Sequence, residues 1–214
     1  MERQDSPPRR YKSVLRTEQA NATRHRVLEA AGHCFAAKGF TATTLGAIAA
    51  EAGVSVETVQ SHGPKRRLLL AALETASAGV DGGRSILEVP AAKAVMAEEN
   101  VREALTGLAH FAADLNARVG RLWQAVVSAA QGDPDIAAAH SALQTRIRAD
   151  FVQVAQVLGQ RGGLRPDLDT EDVAATLWVL TSPYQYELLV VQSEWTQERY
   201  RAWLARMVSE AVLS

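Results

Sequence analysis

Thr58, Gln60 and Ser61 lie within four residues of one another, and Lys65, Arg66 and Arg67 follow closely. The first three carry hydroxyl and carboxamide groups that donate and accept hydrogen bonds. A glutamine amide has the geometry to bond an adenine edge through two atoms at once. The three cations open a helix that begins just after Gly63 and Pro64. Positive charge there opposes the helix dipole, unless an outside anion such as phosphate receives it. Polar groups able to read base edges, set beside cations able to meet phosphates, have the chemistry of nucleic-acid binding.

The run TTLGAIAAEAGVSVETVQSH, residues 43–62, positions these groups. Leu45, Ile48, Ala49 and Ala52 recur at the spacing of one helical face and predict a first short helix. Gly53 supplies the backbone freedom a sharp turn needs. Val54 fills the angle, and Ser55 is placed to cap a second helix from Val56. This is a helix-turn-helix pattern, whose second helix enters a DNA major groove. On it Val59 turns inward and leaves Val56, Glu57, Thr58, Gln60, Ser61 and His62 outward. Gln60 and Ser61 are the foremost base readers, Thr58 and Val56 the next. Thr44, at the start of the preceding helix, adds a phosphate contact. The competing reading of the polar set is a solvated helix face.

Charge distribution agrees with the basic reading. Residues 1–70 carry 11 Lys plus Arg against 6 Asp plus Glu, a net of +5, while residues 71–214 carry 12 against 18, a net of −6. The helix-turn-helix lies in the basic part, as phosphate binding requires. Ala, Leu and Val dominate and glycine and proline are scattered, so the expected class is all-α. No apolar run reaches the roughly 20 residues of a membrane span, and no secretory signal follows the first arginines. The expected location is the cytoplasm. The sole cysteine, Cys34, sits among apolar helix residues and reads as a small buried hydrophobe. Enzyme constellations are missing: there is no phosphate loop after a strand, no histidine pair at metal spacing and no base for Cys34. Neither catalysis, metal nor cofactor is expected.

Around the motif, residues 1–22 read as a flexible basic arm. It either lays arginine on DNA or is an ordinary loose terminus. Thr23 is placed to cap a bracing helix over residues 24–38, ended by Gly39. A helix over residues 65–78 comes after the motif, and Val80–Pro90 reads as a linker. Further helices are expected over residues 97–117 and 119–130, from a Gly132-Asp133-Pro134 turn to Gly162, from Thr170 to Val191 with a kink at Pro183, and over residues 196–213. The domains are therefore the arm 1–22, a DNA-binding domain 23–70 and a helical domain 71–214. In the last, His140 lies on an apolar stripe and is either satisfied within the core or lines a cavity. Phe111, Trp123 and Trp178 are placed to line that cavity, or are packing residues.

RVLEAAGHCFAAKGFTATTLGAIAAEAGVSVETV, residues 26–59, resembles the N-terminal signature of the TetR family of bacterial transcriptional regulators almost position for position. The coupled positions include Ala30-Ala31, Phe35, Gly39, Thr43-Thr44, Ile48-Ala49 and Ala52-Gly53-Val54-Ser55. LTSPYQYELLV and RYRAWLARMV, near the C-terminus, are similar to a subset of the same family. The resemblance implies a three-helix DNA-binding domain and a C-terminal helical domain for ligand binding and dimerisation. It implies a homodimer formed through the last two helices, a palindromic double-stranded operator, and repression relieved by an unknown small-molecule effector. By the same resemblance His62, Lys65 and Arg66 meet phosphates. Three positions depart from the family's usual pattern: Gln60 replaces a tyrosine, Glu57 a glycine, and Gly63 a phenylalanine. Glu57 beside phosphates calls for a cytosine amino group or a nearby arginine as partner. The alternative function is an all-α ligand-binding or protein-interaction module that has lost specific DNA binding.

Overall fold

The computed structural model describes residues 9–78 and 85–214, and the described elements are helical apart from one isolated bridge between Leu164 and Leu213. Helix α1 spans Arg9–Ala42, with a break at Gly39, whose φ of 73° is open to glycine at little cost. The expected flexible arm 1–22 and the cap at Thr23 are thereby corrected: residues 9–22 are helical and Thr23 is interior. No glycine or proline interrupts residues 9–31, so nothing in the chain stops helix propagation. Residues 1–8 lie outside the described residues.

The helix-turn-helix forms as expected. Helix α2 (Leu45–Ala52) and helix α3 (Val56–Ser61) are followed by α4 (Lys65–Ala78). Val27, Leu28, Ala31 and Phe35 of α1, Ile48 and Ala49 of α2, Val59 of α3 and Leu68 and Leu69 of α4 are all buried in one core. That core extends into the second domain. Val119, Leu122, Trp123 and Val126 of α6, and Ile136 of α7, belong to the same cluster. Fully burying a side chain of this size contributes roughly 1.5–3 kcal/mol. Apolar packing thus fastens the helix-turn-helix to α6 and α7, and the expected boundary at 70/71 falls inside α4.

Beyond α4 a 3-10 turn at Ile86–Glu88 leads to α5 (Pro90–Ala97), inside and just after the stretch expected as linker. Residues 79–84 of that linker lie outside the described residues. Helix α6 (Val101–Ala130) replaces the two helices expected over 97–117 and 119–130. Gly120 does not break it; a Cβ there would come within 3.1 Å of the Tyr186 ring, so the glycine serves close packing. Helix α7 (Pro134–Arg161) is capped by Asp133, which accepts from the backbone N–H groups of Asp135 and Ile136 at 3.0 and 3.2 Å. Helix α8 (Thr170–Thr181) stops at Ser182, and Pro183 opens the short α9 (Pro183–Tyr186), which runs into a π-helical turn at Glu187–Gln192. Helix α10 (Gln197–Val212) closes the fold.

A second core joins the first half of α6 to α7, α8 and α10 through Leu105, Val154, Leu177, Tyr200 and Leu204. One buried polar group fixes the α8 break. Asn116, 2 % exposed, donates to the Thr181 carbonyl at 2.9 Å and to the Tyr200 hydroxyl at 3.2 Å. It satisfies a carbonyl that the end of α8 would otherwise leave buried and unpaired. Val179, Tyr184, Leu188 and Val191 remain exposed along α8, α9 and the π turn. Among the described residues no helix is long and apolar enough to cross a membrane.

Candidate nucleic-acid interface

Three local devices set the helix-turn-helix. The Thr43 hydroxyl, buried, lies 2.7 Å from the Gly39 carbonyl and 3.1 Å from that of Cys34, which ties the start of α2 to α1. Gly53 adopts φ 64°, and the N–H of Val54 bonds the Ala49 carbonyl at 3.0 Å, closing α2 with a left-handed cap. Ser55 then caps α3 by accepting from the Thr58 N–H at 3.2 Å. Val59 is fully buried, so α3 presents its remaining faces outward.

On those faces Val56, Glu57, Gln60 and Ser61 are exposed and Thr58 is half-buried. Ser61 donates its hydroxyl to the Thr58 carbonyl at 2.7 Å, so toward a base its oxygen is left as an acceptor. The Thr58 hydroxyl shares a hydrogen bond with Ser55 at 3.2 Å. Gln60 has no such engagement among the described residues, and both ends of its amide remain for an outside partner. Thr44 caps α2 by accepting from the Ala47 N–H at 3.1 Å, which leaves its hydroxyl hydrogen free to donate. The Glu57 carboxyl is held below its usual range by its own backbone N–H and by the Ser55 side chain. It therefore acts as a first-turn capping anion, a local reason for glutamate where the resembled pattern has glycine.

The basic residues divide. Lys65 turns inward: its ammonium donates to the carbonyls of Thr43 at 3.0 Å and Thr41 at 3.4 Å, and stands 4.4 Å from the centre of the Phe40 ring. Arg66 reaches Asp135 at the start of α7, 3.2 Å away, with both side chains largely exposed. Arg67 is exposed, and its stem passes under Gly63 so closely that a Cβ at 63 would lie 2.9 Å from its Cδ. Gly63 also has φ 122°, which explains the departure from a large residue at that position. His62 caps the end of α3; its Nε2 is buried without a partner, and burial followed by the charge of Arg24 pushes its pKa down. A neutral imidazole facing inward offers phosphate little charge.

Beside this surface Glu51 accepts from the Cys34 thiol at 3.1 Å through one oxygen, and its other oxygen lies 3.0 Å from His33 Nδ1. Burial first, then the Glu51 hydrogen bond, push the thiol up to about 11. Cys34 is accordingly a packed, protonated side chain, not a nucleophile.

A cavity of about 400 Å³ lies in the second domain, bounded by α4, α6, α7 and α8. Phe111, Trp123 and Trp178 line it. His140 does not; its ring stands edge-on to Trp123 with centroids 5.1 Å apart, its Nε2 buried without a partner, and burial pushes its pKa down. Leu73, Glu74 and Ser77 of α4 also form part of the wall, as do Arg146, Asp150 and Phe151 of α7. Periodicity did not single these out, because the cavity exists only where α4 and α7 come together without filling the space between them.

Residues 27–73 match the bacterial regulatory proteins of the tetR family, and residues 94–213 match the C-terminal domain of BetI-type transcriptional repressors. No curated protein matches the chain in sequence. Among solved structures, a transcriptional regulator from Saccharomonospora viridis in complex with choline is similar, with 19% identity over 91% of this chain and 99% of that one and a TM-score of 0.70. NalD of Pseudomonas aeruginosa, described as the secondary repressor of the MexAB-OprM multidrug efflux pump, has 17% identity over 91% and 98% of the two chains and a TM-score of 0.63. SmeT in complex with triclosan has 19% identity over 90% and 92% and a TM-score of 0.64. At these identities the likeness is one of fold, and the family rests on the two sequence matches, the second of which spans more than half of the chain. The chain belongs to the TetR family of DNA-binding transcriptional regulators, with a C-terminal domain of the BetI type.

Proposed function

We propose that the protein is a cytoplasmic, homodimeric repressor that grips a palindromic operator through α3 and releases it when a small molecule occupies the second-domain cavity. The observation that carries this reading is the double membership of α4. Leu68, Leu69 and Leu73 pack into the helix-turn-helix core, while Leu73, Glu74 and Ser77 form part of the cavity wall. A ligand that prefers one α4 position over another shifts the DNA-reading helix with it, and only such differential affinity can shift the equilibrium. In this reading Gln60 and Ser61 are the principal base contacts, with Thr58 and Val56 beside them. Arg66 and Arg67 meet phosphates, Thr44 donates to another, and Lys65 and His62 hold the scaffold. Functionally the chain divides at residues 23–70 and 71–214, although α4 runs through the division.

Dimerisation is assigned to the α8-to-α10 region. The exposed Val179, Leu188 and Val191 supply an apolar strip there of the kind that marks a protein interface. Ligand binding by two proteins of this fold, one holding choline and the other triclosan, supports an effector role for the cavity. Selection from randomised duplex DNA tests the proposal. The expected result is a palindrome whose half-sites are centred about one helical turn apart, ~34 Å, or a multiple of it. The second reading, a module that has lost specific DNA binding, draws on Glu57 and on the internal engagement of Lys65. Failure to enrich any palindrome would favour it.

A further inference from the structure

Among the described residues Asp150 is the one buried carboxylate on the cavity wall, 8 % exposed, amid faces that are otherwise mostly aliphatic or aromatic. It accepts from the Ser85 hydroxyl at 2.8 Å. Ser85 in turn accepts from the Leu87 N–H at 3.1 Å, so Asp150 anchors the segment after α4 to α7. The described lining residues include two carboxylates, Glu74 and Asp150, and one guanidinium, Arg146, which lies 3.8 Å from Glu74. An anionic ligand would meet net like charge, and an uncharged one would bury Asp150 further with no compensation. A cation is favoured on both counts.

The rings decide which kind of cation. A quaternary ammonium has no N–H to donate and depends on open aromatic faces. Here Arg148 already lies over the Trp178 ring, 5.4 Å from its centroid, and Trp123 is 6 % exposed with His140 against it. The Asp150 carboxylate, by contrast, offers lone pairs to an N–H donor, and a charge-assisted hydrogen bond is the stronger contact.

Resting on the reading of this cavity as the effector site, we propose that its ligand class is a protonated amine with an apolar body, the N–H head bound at Asp150 in competition with Ser85. Occupancy then loosens residues 85–88 from α7, directly after the helix that carries the DNA-reading element.

Four probes sharing one body test the head group: octylamine, octanol, octyltrimethylammonium and octanoate, titrated calorimetrically into the full-length protein at neutral pH. Octylamine is expected to bind at least tenfold more tightly than each of the others. Asp150→Asn should bring the amine down to the level of the alcohol, whereas Ser85→Ala should keep the amine preference. Equal or tighter binding of the alcohol or the quaternary ion overturns the proposal, as does an unchanged preference in Asp150→Asn or no binding by any probe. If Asp150→Asn does not fold, the comparison of head groups on the wild-type protein still decides. Failure of the regulatory reading looks different: octylamine binds with the expected preference but leaves a selected operator complex intact.

Discussion

At the scale of single residues, the outward side chains of α3 have distinct duties. Gln60 has both ends of its amide available, so Gln60→Ala should relax base preference at one operator position by about 1–3 kcal/mol while leaving the salt dependence of binding unchanged. Arg67→Ala should do the converse, weakening binding to all sequences and reducing the salt slope by about one charge. Fluorescence anisotropy on operator and variant duplexes at several salt concentrations separates the two. The histidines make a separate prediction. His62, His110 and His140 all have folded-state pKa values lowered from 6.5, each by burial first. As pH falls below that value the unfolded chain takes up protons before the folded one, so the stability they contribute is present above about 6.5 and is lost toward acid. Thermal melts should show a midpoint that declines from pH 7 to pH 5.5, less steeply once His140 is replaced by glutamine. Residue types made Gln60 and Ser61 visible in the chain itself. The inward turn of Lys65 was not visible, since it depends on carbonyls at Thr41 and Thr43 that only the folded α1–α2 connection presents.

At the scale of elements, periodicity and caps were good guides wherever a helix has a marked end. Ser55, Gly53 and Asp133 all cap as their types suggest, and the helix-turn-helix arises from the first two. Errors fell where a helix lacks a breaker. Helix α1 runs back to Arg9, and α6 passes through Gly120 because Tyr186 packs there, a contact between residues far apart in the chain. Helix α5 was hidden inside a glycine- and proline-containing stretch, where Pro90 starts a helix instead of preventing one. Gly53 is the element's most sensitive backbone position. Gly53→Ala forces an alanine into the left-handed region and should cost about 1 kcal/mol of stability, measurable by urea unfolding. Leu69→Ala removes a fully buried side chain shared by the DNA-reading core and α4 and should cost about 2–5 kcal/mol.

At the scale of the whole molecule, two cores share α6, and α4 joins the reading helix to a cavity. The extent of that continuity was not legible from the chain, because a boundary drawn from composition cannot see which side chains of α4 and α6 interdigitate. If the exposed strip on α8 and the π turn is the subunit interface, Leu188→Asp should shift the protein from dimer to monomer in analytical ultracentrifugation, leaving its helical content intact. Such a monomer should lose operator affinity, since each protomer supplies a single reading helix. The measurement that reaches the central claim most directly is a titration against a selected operator, and against the same duplex with one half-site scrambled. Two protomers on the intact site, with affinity falling at least a hundredfold when one half-site is lost, is the result predicted for a dimer reading DNA through paired α3 helices. Equal affinity for both duplexes would contradict it.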